Sequence, residues 1–227
     1  YSPRPIEATA VAFSGFFLRE SSWSQVRGAF ARWICVDVCR NDPATTMNDY
    51  VDTALAAIAS TPGPHVLLAH SFGGWLAATV ASRMPTPPTH TILLGALGLS
   101  PGLSAAEHVA AAGSGTMSAL CRLDLESGRI ELTDEAAFQQ LLGADSGTWP
   151  EISPCEPVAL LTEALEADVM RHRTADSRRW YVIAGDDALA NTDAQRTAAI
   201  QHGAKVLRCE GGHLAAPPVE LGLRHSG

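Results

Sequence analysis

The sequence predicts an α/β protein built on a mostly parallel sheet, with helices on both faces and an inserted helical cap. Three observations predict it. Short apolar runs alternate with helix-like segments through the first hundred residues and again near the end. No internal repeat breaks that rhythm. A long segment from Pro101 to about His172, rich in Ala, Leu and Glu, lies between two of the apolar runs and resembles neither side. Parallel neighbours need crossover connections, so repeated strand–helix–strand order implies a largely parallel sheet.

Each element has its own signal. Ala8–Phe13 is an apolar run read as the first strand, followed by a Ser-Gly turn and a short helix near Ser22 to Phe30. Trp33–Val38 is the next strand. Met47 to Ser60 is a helix with Val51, Leu55 and Ile58 on one face. Val66–Ala69 follows as a buried strand and Phe72 to Met84 as its helix. Thr91–Gly95, Trp180–Ala184 and Lys205–Cys209 complete the sheet, with a helix near Asp193 to His202 between the last two. Residues 1–100 and 173–227 thus form two parts of one core, and residues 101–172 a cap inserted between them. Helical patches in the cap are expected at Ala105–Ala112, Thr116–Leu123, Asp134–Leu142 and Pro157–Met170.

Composition narrows the function. Sixteen basic against 24 acidic residues give a net charge of −8. With no Lys/Arg run, neither nucleic acid nor an anionic membrane surface is expected as a partner. No apolar stretch reaches the length of a membrane span. The opening Tyr1–Glu7 does not read as a leader. Five scattered cysteines lack the spacing of a metal site. The expectation is a cytoplasmic protein with reduced thiols, no metal and no cofactor, acting on a small molecule as a monomer or homodimer.

The chemistry concentrates at Ser71. It stands between the buried strand Val66–Ala69 and a following helix, with Ala69 two residues before and Gly73 two after. A turn that sharp admits only small neighbours and lifts the hydroxyl clear of the sheet edge. Serine is a poor nucleophile without a base, and the base needs a carboxylate to fix it. The carboxyl ends of the last two strands supply both: Gly185-Asp-Asp187 after one, and Gly211-Gly-His213 after the other. Ser71, an aspartate and His213 then occur in the order nucleophile, acid, base, with Asp186 and Asp187 both open as the acid. The turn Phe13-Ser-Gly-Phe-Phe17 after the first strand can provide the backbone N–H of Phe16 opposite that of Phe72, forming an oxyanion hole. Of the other histidines, His65, His90, His202 and His225 read as surface.

These motifs resemble the α/β-hydrolases, in the compact esterase and hydroxynitrile-lyase branch that holds plant methyl-ester esterases and bacterial relatives. The resemblance covers nearly all the chain outside the cap. It rests on Ser14-Gly-Phe-Phe-Leu-Arg-Glu-Ser-Ser-Trp23, Ala69-His-Ser-Phe-Gly-Gly74, Trp180-Tyr-Val with Asp187 and Gln195-Arg196 in register, and Gly203-Ala-Lys-Val followed by Gly212-His213. Ser14 departs from the branch's histidine and Ala69 from its glycine. The register selects Asp187 as the acid. Lyases of the branch carry threonine in the oxyanion turn and lysine beside the catalytic histidine; Gly15 and Leu214 here imply ester hydrolysis instead.

The resemblance therefore implies a carboxylesterase for small apolar or aromatic esters, methyl esters included. Catalytic roles are expected for Ser71, Asp187 and His213, and oxyanion contacts at Phe16 and Phe72. Phe17, Met117, Phe138, Trp149 and Leu214 are expected to contact substrate. The same site also suits a thioesterase, a lactonase, a lyase or cofactor-free chemistry, and the fold serves some small-molecule receptors.

Overall fold

The computed structural model describes residues 4–111, 115–143, 150–166, 169 and 178–214. In chain order its strands are β1 (Ile6–Phe13), β2 (Phe30–Cys35), β3 (His65–His70), β4 (His90–Leu94), β5 (Cys121–Asp124), β6 (Arg129–Leu132), β7 (Cys155–Pro157), β8 (Arg178–Ala184) and β9 (Lys205–Cys209). The helices are α1 (Ser24–Arg27), α2 (Met47–Ala59), α3 (Gly73–Arg83), α4 (Ala105–Ala111), α5 (Gly115–Ala119), α6 (Glu135–Leu142), α7 (Val158–Thr162) and α8 (Thr192–His202).

Six strands form the main sheet in the order β2-β1-β3-β4-β8-β9, every pair parallel. β3 lies at its centre, where both faces are covered, which is why Val66–Ala69 is apolar without alternation. Alternate strand residues still sort by face. Val11, Leu67, Leu93 and Tyr181 pack with α2, α3 and α8, whereas Ala10, Leu68, Ile92 and Val182 pack with Trp23 and Val26 at α1. Local signals fix the helix starts. Thr46 and Asp49 form a capping box at α2, and Asn191 caps α8 by accepting from Ala194 N–H at 2.9 Å. His90 and His202 are buried, contrary to the surface reading of both.

The cap is the main departure from expectation. Beside helices α4 to α7 it holds a three-stranded antiparallel sheet, β5-β6-β7. The stretch expected as a helix over Thr116–Leu123 divides into α5 and β5, and α7 spans only five residues of the helix expected from Pro157. A hairpin decides the first case. Asp124 Oδ1 accepts from Glu126 and Ser127 N–H, and Gly128 takes φ +68°. That turn overrides the helix-favouring Leu and Glu around it. The chain before α2 also departs: β2 ends at Cys35, and Asp37–Asn41 coils into a 3-10 turn that turns Asp37 and Arg40 inward.

The core makes one contrast measurable. Leu67 is fully buried at the sheet centre, whereas Val38 is 72% exposed. Leu67→Ala should lower the unfolding free energy by about 2–5 kcal/mol, and Val38→Ala by less than about 0.5 kcal/mol. Urea denaturation of both variants checks this; equal losses would contradict the arrangement.

Candidate active site

The turn between β3 and α3 has only Ser71 and Phe72 in which to reverse the chain. Ser71 takes φ 52°, in the left-handed region that ordinary residues avoid. Its N–H donates to Leu94 O at 3.0 Å, and its carbonyl accepts from Gly74 and Leu97 N–H, each at 3.0 Å. Close contact explains the neighbouring glycines. A Cβ at Gly73 would lie 2.0 Å from Phe13 O, and one at Gly74 would lie 2.7 Å from Ala96 Cβ. Ala69, fully buried within β3, fits where the branch has glycine.

Asp187 and His213 meet from the ends of β8 and β9. His213 Nδ1 lies 2.7 Å from Asp187 Oδ2, and Asp187 Oδ1 accepts from Leu189 and Ala190 N–H at 2.8 and 2.9 Å. Burial pushes the Asp187 carboxyl up, but the His213 bond and these two donors outweigh it, so it sits below its ordinary value. Asp186 is exposed and takes part instead in the link to Gly211. Gly95 leaves room for the pair: a Cβ there would come within 3.3 Å of both Asp187 Oδ2 and His213 Nδ1. The loop bearing His213 also touches the cap. Leu214 N–H donates to Leu142 O at 3.0 Å, and a Cβ on Gly212 would lie 2.7 Å from Gly143 Cα.

His70 sits behind this pair. Its ring packs edge-on against His213, with centroids 4.7 Å apart, and its Nε2 lies 2.8 Å from His213 O. Burial, then the neighbouring His213, pull its pKa down to about 3. The ring is neutral, and the carbonyl partner places its proton on Nε2.

The loop after β1 passes beside Ser71. A Cβ at Gly15 would lie 2.8 Å from His70 Nδ1 and 3.1 Å from Ser71 Cβ. The Phe16 ring stacks on Phe72 at 4.1 Å. Among the described residues, neither the Phe16 nor the Phe72 backbone N–H has a protein acceptor. Ser14, where the branch has histidine, accepts through Oγ from Trp23 Nε1 at 3.0 Å.

Sequence reasoning missed what lies underneath. The fully buried Arg40 and Glu156 side chains pair at 2.6 Å, with Asp37 at 3.4 Å from Arg40 and Tyr50 O–H donating to Asp37. Burial opposes the Arg40 charge, yet Glu156 and Asp37 hold its pKa above the ordinary value.

Ser71, Asp187 and His213 line a single cavity of about 410 Å³ between sheet and cap. Phe16, Phe17, Met117 and Phe138 line it too, and Phe17 meets Phe138 edge-on at 5.7 Å. Leu214 does not line the cavity, contrary to expectation. It packs instead with Phe17, Leu18 and Leu142 where cap and core meet, because its N–H ties it to Leu142. Phe72 does not line the cavity either; its ring is buried in the core, stacked on Phe16. Trp149 lies outside the described residues.

Residues 10–220 match the profile of the alpha/beta hydrolase family. The chain belongs to that family. It is accordingly a hydrolase, and its six-stranded parallel sheet is the family's fold. Similar solved structures include a pyrethroid hydrolase from Sphingobium faniae JZ-2, with 16% identity, TM-score 0.70, and coverage of 91% of this chain and 90% of that one. An extracellular alpha/beta-hydrolase from a Paenibacillus species has 16% identity and TM-score 0.69, covering 96% of each chain. Polyneuridine aldehyde esterase has 16% identity and TM-score 0.67, covering 92% of each. No curated protein sequence matches the hydrolase significantly. Among the described residues, no helix is long and apolar enough to cross a membrane.

His70 should make the hydrolase sensitive to acid. Its folded pKa of about 3 lies below the ordinary 6.5, so between those values the unfolded chain binds a proton that the native one refuses. Its contribution to stability is full above pH 6.5 and falls as pH drops towards 3. The slope is about 1.4 kcal/mol per pH unit for one proton. His70→Asn should remove that slope from urea denaturation midpoints measured between about pH 6 and pH 4; an unchanged slope would contradict a buried neutral His70.

Proposed function

We propose that this hydrolase is a carboxylesterase that cleaves small apolar or aromatic esters, methyl esters included, through a Ser-His-Asp triad and an acyl-enzyme. The observation that carries the reading is the 2.7 Å contact between His213 and Asp187 on the wall of the same cavity as a serine held at φ 52°. Because Asp187 engages Nδ1, Nε2 is the nitrogen left for proton transfer.

In this reading Ser71 Oγ attacks the ester carbonyl carbon as His213 takes its proton. Asp187 holds the imidazole tautomer and balances the imidazolium charge. The carbonyl oxygen becomes an oxyanion, met by the unengaged N–H groups of Phe16 and Phe72 and by the positive end of α3. Collapse of the tetrahedral intermediate breaks the carbon–oxygen bond, and His213 protonates the departing alcohol. Water, deprotonated by His213, attacks the acyl-enzyme; the acid leaves and Ser71 recovers its proton. None of these steps calls for a metal or cofactor. Phe17, Met117 and Phe138 offer the acyl group an apolar wall. The hydrolase and esterase named among the similar structures support an ester substrate.

Ser71→Ala should lower kcat on p-nitrophenyl esters by at least about 1,000-fold and abolish labelling by an organophosphonate, with unfolding unchanged. Activity within tenfold of wild type would remove Ser71 from the nucleophile's role.

The two aspartates should separate in the same assay. Asp187→Asn should cost about 10,000-fold in kcat, because the imidazole loses its tautomer control, while exposed Asp186→Asn should cost less than about fivefold. The reverse ranking would move the acid one residue earlier.

A further inference from the structure

We propose that the buried Arg40–Glu156 pair is a positioning device for the oxyanion loop, pinning three successive peptide units so that the Phe16 N–H is aimed before substrate arrives. The inference rests on the esterase reading, in which that N–H receives the oxyanion. It concerns residues 116 positions apart, one in the core and one in the cap.

The geometry is specific. Arg40 Nη1 donates to Ser14 O at 3.0 Å, and Nη2 donates to Gly15 O at 2.9 Å. Phe17 N–H donates to Glu156 Oε1 at 2.7 Å. These contacts engage the peptide units Ser14–Gly15, Gly15–Phe16 and Phe16–Phe17 in turn. In a planar trans peptide the C=O and N–H point in opposite directions. By holding Gly15 O, Arg40 therefore sets the direction of the Phe16 N–H on the far side of the same unit. A cation on the carbonyl also polarises the unit, which makes its N–H a stronger donor.

Glu156 completes the arrangement. Its Oε2 accepts from Arg40 Nε at 3.0 Å, and its Oε1 accepts from Arg40 Nη2 at 2.6 Å and from Arg19 Nη1 at 2.7 Å. The planar guanidinium is held by two edges, which a lysine ammonium cannot reproduce. Phe17, pinned on both sides by Glu156 and by Ser153 N–H to its carbonyl at 2.8 Å, takes φ 60°. A bulky residue does not rest there unaided. These contacts fix the Phe16–Phe17 peptide unit on one side of Phe16, while Arg40 fixes the Gly15–Phe16 unit on the other.

The pair lies beneath the loop and does not touch substrate. Its loss should therefore lower kcat without a matching change in KM, by the same factor for short aliphatic and for aromatic esters. A role in lining the acyl pocket would shift that ratio.

The test uses Glu156→Gln and Arg40→Lys, which keep size and most of the packing. Rates are expressed per Ser71 labelled at the endpoint of organophosphonate treatment, so misfolded protein drops out. Each variant should lose about 10- to 100-fold in kcat, short of the roughly 100- to 1,000-fold for deleting an oxyanion donor outright. KM should stay within about threefold, and amide hydrogen exchange should rise across residues 14–18. Two variants within twofold of wild-type kcat, or a change confined to KM, would overturn the positioning role while leaving the esterase reading intact. A wild-type protein that neither hydrolyses esters nor is labelled at Ser71 would overturn the esterase reading, and the proposed role with it.

Discussion

The site depends on one close approach: the first turn of α3 presses against the end of β1. At Gly73 there is no space for a side chain beside the Phe13 carbonyl, so the helix begins where only glycine fits. With both ends of the reversal fixed, the chain leaving β3 turns within two residues, and Ser71 is driven into the left-handed region. That strain is on the order of 1–3 kcal/mol. The Leu94 carbonyl and the N–H groups of Gly74 and Leu97 hold it in place. The same approach sets the loop after β1 against the serine, which is why Gly15 is hemmed in by His70 and Ser71 at once.

The cap shares in this constraint instead of merely covering it. Phe17 and Leu18, from the core loop, pack in one apolar cluster with Ile130, Phe138 and Leu142 of the cap. Beneath that cluster the Arg40–Glu156 pair spans the same boundary with full burial on both sides. Buried ion pairs carry a desolvation penalty comparable to their attraction, so they add little net stability. What this one provides is direction. Its donors and acceptors are occupied by specific backbone groups, and an apolar replacement would leave those groups unmet.

The legible parts of the chain were those whose signal is local. An apolar run, small residues two positions either side of a serine, and paired glycines before a histidine are short patterns imposed by backbone geometry, and they marked β3, Ser71 and His213. The choice of Asp187 over Asp186 was not local. Composition leaves them equal and only the family register separates them; in the fold Asp187 is the one whose carboxylate meets His213. The cap strands were hidden because β5 and β6 span four residues each and are only partly buried, so helix-favouring composition masked the hairpin. The sequence suggests a pocket contact for Leu214, but one backbone hydrogen bond to Leu142 turns it to the cap boundary. Arg40 and Glu156 look like ordinary surface charges in the sequence, since burial by a partner 116 residues away has no local signature.

The contact between Gly212 and Gly143 bears on how such a protein can diversify. Two backbones, one beside His213 and one in the cap, cross with no room for a side chain on either. A foreign cap spliced onto this sheet would have to supply a residue without a Cβ at that crossing and a carboxylate beneath the first loop. The insertion is thus not an interchangeable module. An exchanged cap keeps this site only where it meets both requirements, whereas a single replacement on the cavity wall leaves the crossing and the buried pair untouched.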